Sequence, residues 1–140
     1  MIVFSTFQRV AQRLTPLAAT ALRIALGWVF LRHGLVKLHM GLGGVAGFLG
    51  GLGFPVPQAW AVVLIVVETF GAACVITGLL TRFWAACFAV EMVVAITRAI
   101  LPRGGAFELE GVLLAGALAL VCLGDGWIAL GQLHTKKHAD

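Results

Sequence analysis

Charged side chains are scarce in this sequence. Lys, Arg, Asp and Glu make up 11% of its 140 residues, against 61% hydrophobic residues, and the mean hydropathy is +1.03. That scarcity excludes an ordinary soluble domain, in which about a quarter of the residues are charged. Acidic residues are rarer still, six in all, against ten Lys and Arg. The resulting net charge of +4 is scattered at the flanks of apolar runs. No basic patch tracks a phosphate backbone, so nucleic acid is excluded as a partner. Cys74, Cys87 and Cys122 stand alone in apolar segments, with no CxxC and no Cys/His pair at ligand spacing. They read as small buried hydrophobes, and no metal site is expected. Of His33, His39, His134 and His138, only His33 falls clearly within an apolar run. A bis-His haem within one bundle is thereby excluded, and no cofactor is held covalently.

What the chain does have is long uncharged apolar runs. They predict an all-α fold: one transmembrane domain over residues 1–140, an integral membrane four-helix bundle. An N-terminal amphipathic helix precedes the bundle, and a short interfacial helix lies between helices 1 and 2. The bundle helices are expected at about 16–38, 58–80, 83–101 and 109–130, each long enough for a hydrocarbon core of roughly 30 Å.

Taken in order, residues 1–14 place Val3, Phe4, Phe7, Val10, Ala11 and Leu14 on one helical face and Gln8, Arg9, Gln12 and Arg13 on the other. That is the pattern of a helix lying in the membrane interface, with a frayed terminus as the alternative. Thr15-Pro16 is a capping pair that suits the start of helix 1. Within helix 1, Arg23, Phe30, His33, Gly34 and Lys37 share a face at 100° per residue, and Arg32 points the other way to snorkel outward. Trp28 reads as packing. Residues 39–58 are glycine-rich, with Gly43, Gly47 and Gly51 four apart, a stripe that permits close helix contact and homo-oligomerisation. Gly41-x-Gly43-x-x-Ala46 is a degenerate dinucleotide fingerprint, rejected because it follows an apolar helix rather than a strand.

The most informative stretch is 59–103, two apolar helices joined by a tight turn at 77–82. Glu68 sits mid-span in the first, Glu91 and Arg98 in the second. A charge in hydrocarbon is rare because its burial costs several kcal/mol unless it is paired or neutralised. Glu68 shares its face with Gly71, Ala72 and Val75, and Glu91 with Trp84, Cys87, Ala95 and Arg98. Glu108 and Glu110 open helix 4, where acids either complement the helix dipole or serve a site.

Basic residues set the orientation. Arg9, Arg13, Arg82, Lys136 and Lys137 fall on one side, which places both termini in the cytoplasm. With a rise of about 1.5 Å per residue, Arg23 and Glu91 lie at matching depths and are expected to pair. Glu68, Arg98 and His33 form a second cluster, and Lys37 with Glu110 a third pair. Arg23, His33, Lys37, Glu68, Glu91, Arg98 and Glu110 are thus the candidate ligand- and proton-handling residues. Two readings of this ladder stay open: it holds the helices in register, or it serves a lipid-soluble ligand such as a quinone, with His33 and Glu68 exchanging protons.

Several strings resemble the DoxX family of small bacterial membrane proteins over residues 16–130: LRIALGWVFLRHGLVKL, GFPVPQAW, VETFGAACVITGLLTRFWA and FELEGVLLAGALALVCLGDG. The resemblance implies a four-helix protein of the bacterial inner membrane. The family includes the small subunit of a thiosulfate:quinone oxidoreductase, and other members associate with redox or stress-response partners. Its recurring polar residues match Arg23, His33, Gly34, Lys37, Glu68, Thr81, Arg82 and either Glu108 or Glu110. Glu91 and Arg98 rest on the depth argument alone. The family's Ser-Leu-Asp-like ending is replaced here by IALGQL. The expected function is a membrane subunit of a redox system that contacts quinone or an oxidoreductase partner. The alternatives are a non-catalytic anchor for a soluble enzyme, or a small-solute or proton-coupled carrier. Against a carrier, no internal repeat is present and four helices leave little room for alternating access.

Overall fold

The computed structural model describes residues 2–127, 129 and 130, with the backbone course alone for residues 2–7 and 10. The side-chain expectations for Val3, Phe4, Phe7 and Val10, and those for His134, Lys136, Lys137 and His138, lie outside the described residues. Every regular element of the described chain is helical, without a strand. Four helices make up the bundle: α1 (Ile2–Gly51), α2 (Pro57–Thr77), α3 (Thr81–Arg103) and α4 (Glu108–Leu123).

Helix α1 is longer than expected at both ends. Thr15-Pro16 does not start it, for the helix runs straight through Pro16. A proline there removes one N–H and frees the carbonyl four residues before it. Side-chain hydroxyls supplement the ladder on either side: Thr15 Oγ1 donates to Ala11 O at 3.1 Å and Thr20 Oγ1 to Pro16 O at 2.9 Å. The expected amphipathic and first membrane helices are therefore one rod. At Gly41 the backbone takes φ 77° and ψ 159°, a conformation essentially closed to other residues, and the rod breaks there. Residues 42–51 form the expected short helix after that break. Its Val45, Ala46 and Leu49 are buried against Ala61 of α2, with Phe54, Leu64 and Ile65 around them. The Gly43, Gly47 and Gly51 stripe faces open space within the chain.

The α2–α3 hairpin turns at 78–80, with Gly78 (φ 77°) and Leu80 (φ 52°) in the left-handed region. Helix α4 stops at Leu123 rather than near residue 130, because Gly124 and Gly126 both take positive φ. Helices α1 and α3 each contact both α2 and α4, so the four are arranged in a ring. Across its centre, Phe30 of α1 stacks on Phe88 of α3 with ring centroids 3.8 Å apart and planes at 5°. Leu26, Val75, Ala85, Met92, Leu113, Ala117 and Leu120 complete that core.

The outside of the ring is apolar. Trp28, Val36, Phe70, Phe83, Val90 and Val112 are all more than half exposed. Trp28 thus faces outward rather than packing inside, and Arg32 lies on the exposed side as its helical phase required. Three stretches, Ala11–Gly51, Pro57–Thr77 and Thr81–Arg103, are long and apolar enough to cross a membrane. Helix α4 has 16 residues, about 24 Å. An apolar exterior around a ring of such helices is the arrangement of a membrane protein in contact with lipid.

Candidate functional site

The site begins with a close approach of two backbones. Gly34 of α1 lies so near α2 that a Cβ on it would stand 2.7 Å from both the carbonyl carbon and the oxygen of Glu68. Lys37 follows on the same face of α1, three residues on. Its Nζ lies 2.7 Å from Glu68 Oε1 and 2.5 Å from Oε2, so one ammonium engages both oxygens. Glu68 is 3% exposed. Its charge is tolerated in that position because Lys37 neutralises it at contact distance.

Two π-turns shape the surrounding wall. One spans Val67–Gly71 and carries Glu68; the other spans Ala95–Ile100 and carries Arg98. A π-turn inserts an extra residue and shifts the helical phase, and such turns recur at functional sites. Each has a threonine bonded back into the helix: Thr69 Oγ1 donates to Ile65 O at 2.6 Å, and Thr97 Oγ1 to Val93 O at 2.8 Å.

These elements enclose a cavity of about 240 Å³ whose lining includes His33, Lys37, Glu68, Glu91, Arg98 and Glu110. Six of the seven residues singled out from the sequence therefore converge, with residues from all four helices. His33, Arg98 and Glu110 line it without an ion pair among the described residues. Beside it lies a second, larger space of about 470 Å³, lined by Trp60, Val63, Phe83, Cys87, Val90 and other apolar side chains. Among the described residues Glu91 is the one charged side chain of that groove, and it also lines the first cavity. Leu49, Phe54, Leu64 and Val94 are common to both as well. Glu91 thus stands where an apolar groove meets a charged chamber.

Two expected pairings are corrected. Glu91 does not meet Arg23; it lines the chamber together with Glu68. Lys37 takes Glu68 rather than Glu110, although Glu110 lines the same cavity. The expected depths take helix 1 as residues 16–38, whereas α1 runs from 2 to 51 with a break at Gly41, so its ends do not mark the levels at which its residues meet the other helices.

Arg23 belongs to the opposite end of the bundle. It is 2% exposed, and its guanidinium donates to the backbone oxygen of Asp125. The backbone N–H of Trp127 donates to Thr20 Oγ1 at 3.1 Å in the same region. Arg82 lies against Gly124, close enough that a Cβ there would be 2.9 Å from Nε. Asp125 and Thr20 were missed. The signal for them was the Gly124-Asp125-Gly126 break, which ends an apolar helix and brings polar groups to its stop. Glu108 is exposed in the first turn of α4, the position that the helix dipole favours for an acid.

The arrangement can therefore hold charge and protons in a small chamber and open apolar volume to one side of it. The family model described as DoxX matches residues 18–101 of the chain. No curated protein and no solved structure matches it.

Proposed function

The chain belongs to the DoxX family, and from that membership together with the paired cavities we propose that it is the membrane subunit of a redox system of the bacterial inner membrane. In this reading it binds a quinone, with the ring toward the charged chamber and the isoprenoid tail in the apolar groove. The observation that carries the reading is the junction at Glu91, where one side chain lines both spaces. A lipid-soluble molecule with a polar head needs apolar volume and a few convergent polar groups in one continuous site. The groove's volume of about 470 Å³ lies within the usual range for ligand pockets.

A quinone exchanges electrons and protons together, and a partner oxidoreductase supplies or takes the electrons. The chain's own residues hold the ring, keep charge balanced and keep protons within reach. Lys37 and Glu68 set a fixed dipole at the chamber wall, and His33 and Glu110 also line it. The distribution of Arg9, Arg13, Arg82, Lys136 and Lys137 supports an orientation with both termini in the cytoplasm, which turns the chamber toward the outer leaflet.

The test is direct. The protein is purified in mild detergent, its lipids are extracted, and quinone is quantified against a control membrane protein. Near-stoichiometric quinone that is lost in Glu68→Gln is the expected result. Absence of quinone, with a soluble protein retained instead, would replace this reading by that of a membrane anchor.

A further inference from the structure

A third cavity, of about 220 Å³, opens where the loop before α2 meets α3. Gly53, Phe54, Pro55, Trp60, Val94 and Arg98 line it. Among the described residues Arg98 is its one charged side chain, and no acidic residue lines it. Arg98 is exposed. It also lines the chamber with Glu68, Glu91 and Glu110, yet it forms neither an ion pair nor a hydrogen bond among the described residues. Arg103 differs, for its guanidinium donates to Ala99 O at 2.8 Å. Arg98 thus keeps a permanent charge and five N–H donors in a planar fork, the geometry that matches a phosphate. The recess also has a defined level. Trp60 stands three residues after the start of the stretch Pro57–Thr77, and Arg98 five before the end of Thr81–Arg103. At about 1.5 Å per residue they lie about 5 and 8 Å inside those ends. Both ends are the ones away from the hairpin turn at 78–80. Trp60 is 46% exposed and meets Phe54 edge to face, with ring centroids 6.2 Å apart. Exposed tryptophan near the end of a membrane helix belongs at the level of the lipid headgroups, and a long arginine side chain carries its charge to the same level.

We infer that this recess binds the phosphate of an anionic phospholipid, with Arg98 as the phosphate ligand and Trp60 and Phe54 against the lipid's glycerol region. Basic pockets between membrane helices take lipid headgroups in this way. The lining sets the charge of the occupant. A zwitterionic lipid carries the same phosphate but adds a cation, for which the recess offers no carboxylate. It also sets the source. A dissolved phosphate would meet the same guanidinium, but it would have to leave water for walls whose side chains are apolar apart from the Trp60 indole N–H. A lipid brings its phosphate to that level with its chains already in hydrocarbon. The inference goes beyond the quinone reading and does not rest on it: Arg98 needs neither the ion pair of Lys37 with Glu68 nor an occupant in the groove.

The test counts bound lipid by native mass spectrometry of the full chain in mild detergent. Titration with dioleoylphosphatidylglycerol is expected to fill one site. Arg98→Gln should lower its affinity about tenfold, the scale of a hydrogen bond to a charged group, while Arg98→Lys, which keeps the charge, stays within about threefold. Arg103→Gln removes a charge at the same end of α3 but outside the recess, and should stay within about twofold. Dioleoylphosphatidylcholine should bind about tenfold more weakly than the anionic lipid. Sodium phosphate, replacing chloride at equal ionic strength, should leave the anionic lipid in place. Equal affinity of the parent and Arg98→Gln, or an equal loss in Arg103→Gln, overturns the site. Phosphatidylcholine bound as tightly as phosphatidylglycerol overturns the choice of an anionic headgroup. Displacement by phosphate overturns the lipid as the source and leaves a site for a free oxyanion. Every arm is read without quinone, so failure here leaves the quinone reading standing, and failure of the quinone extraction leaves this site standing.

Discussion

Lys37 lies within 2.7 and 2.5 Å of the two carboxylate oxygens of Glu68, on a helix that comes against the α2 backbone where residue 34 is glycine. The ion pair and the backbone approach depend on each other. If the helices separate, the pair opens; if the pair is broken, a charge is stranded in an apolar bundle.

Breaking one partner should therefore cost more than removing both. Lys37→Met leaves the Glu68 charge unpaired and is expected to destabilise the protein by about 3 kcal/mol. The double variant Lys37→Met with Glu68→Gln should recover most of that loss. Thermal unfolding of the four proteins of this cycle in detergent checks it, and a double variant no more stable than Lys37→Met would refute it.

Glycine positions should divide sharply. A methyl group at Gly34 meets the Glu68 carbonyl at 2.7 Å, so Gly34→Ala forces α1 and α2 apart at a cost of about 1–3 kcal/mol. Quinone binding should fall with it. Gly43→Ala and Gly47→Ala project into open space and should raise helix stability by about 0.5–1 kcal/mol. Melting temperatures measure all three, and destabilisation by the latter two would reveal a partner covering that stripe.

Arg23 serves the far end of the bundle rather than the chamber. Arg23→Met removes its bond to the Asp125 carbonyl and should cost about 2 kcal/mol, the scale of a hydrogen bond to a charged group. Limited proteolysis should then cut faster around residues 124–127. Decyl-benzoquinone affinity should stay within about twofold, because the groove and chamber do not include Arg23. A large loss of affinity would place Arg23 in the site after all.

Filling the groove tests the other half of the binding reading. Ala86 is exposed and lines the groove but not the charged chamber. Ala86→Phe should lower decyl-benzoquinone affinity by tenfold or more while changing stability by no more than about 0.5 kcal/mol, as for other exposed positions. Unchanged affinity would show that the tail lies elsewhere.

Much of this protein was legible from local chemistry. Low charge and long apolar runs determined a membrane-spanning helical bundle, because an unpaired backbone in hydrocarbon leaves few alternatives. Helical phase placed His33, Gly34 and Lys37 on one face of α1, and the small residues Gly71 and Ala72 marked the face on which Glu68 is buried. The rarity of charge in such a chain singled out Glu68, Glu91, Arg98 and Glu110, and the chamber gathers all four. Partners were another matter. Which charge meets which depends on how far one helix slides along another, and helix ends control that count. Pro16 suggested an end where the helix continues, and Gly124 supplied an end where the apolar run suggested continuation. The π-turns at Glu68 and Arg98 add a further shift that no periodicity in the sequence announces. Periodicity along one helix is a local property, so the sequence by itself determined the faces. Register between helices is a property of packing, so only the tertiary structure decided that Lys37 meets Glu68 and that a groove opens beside them.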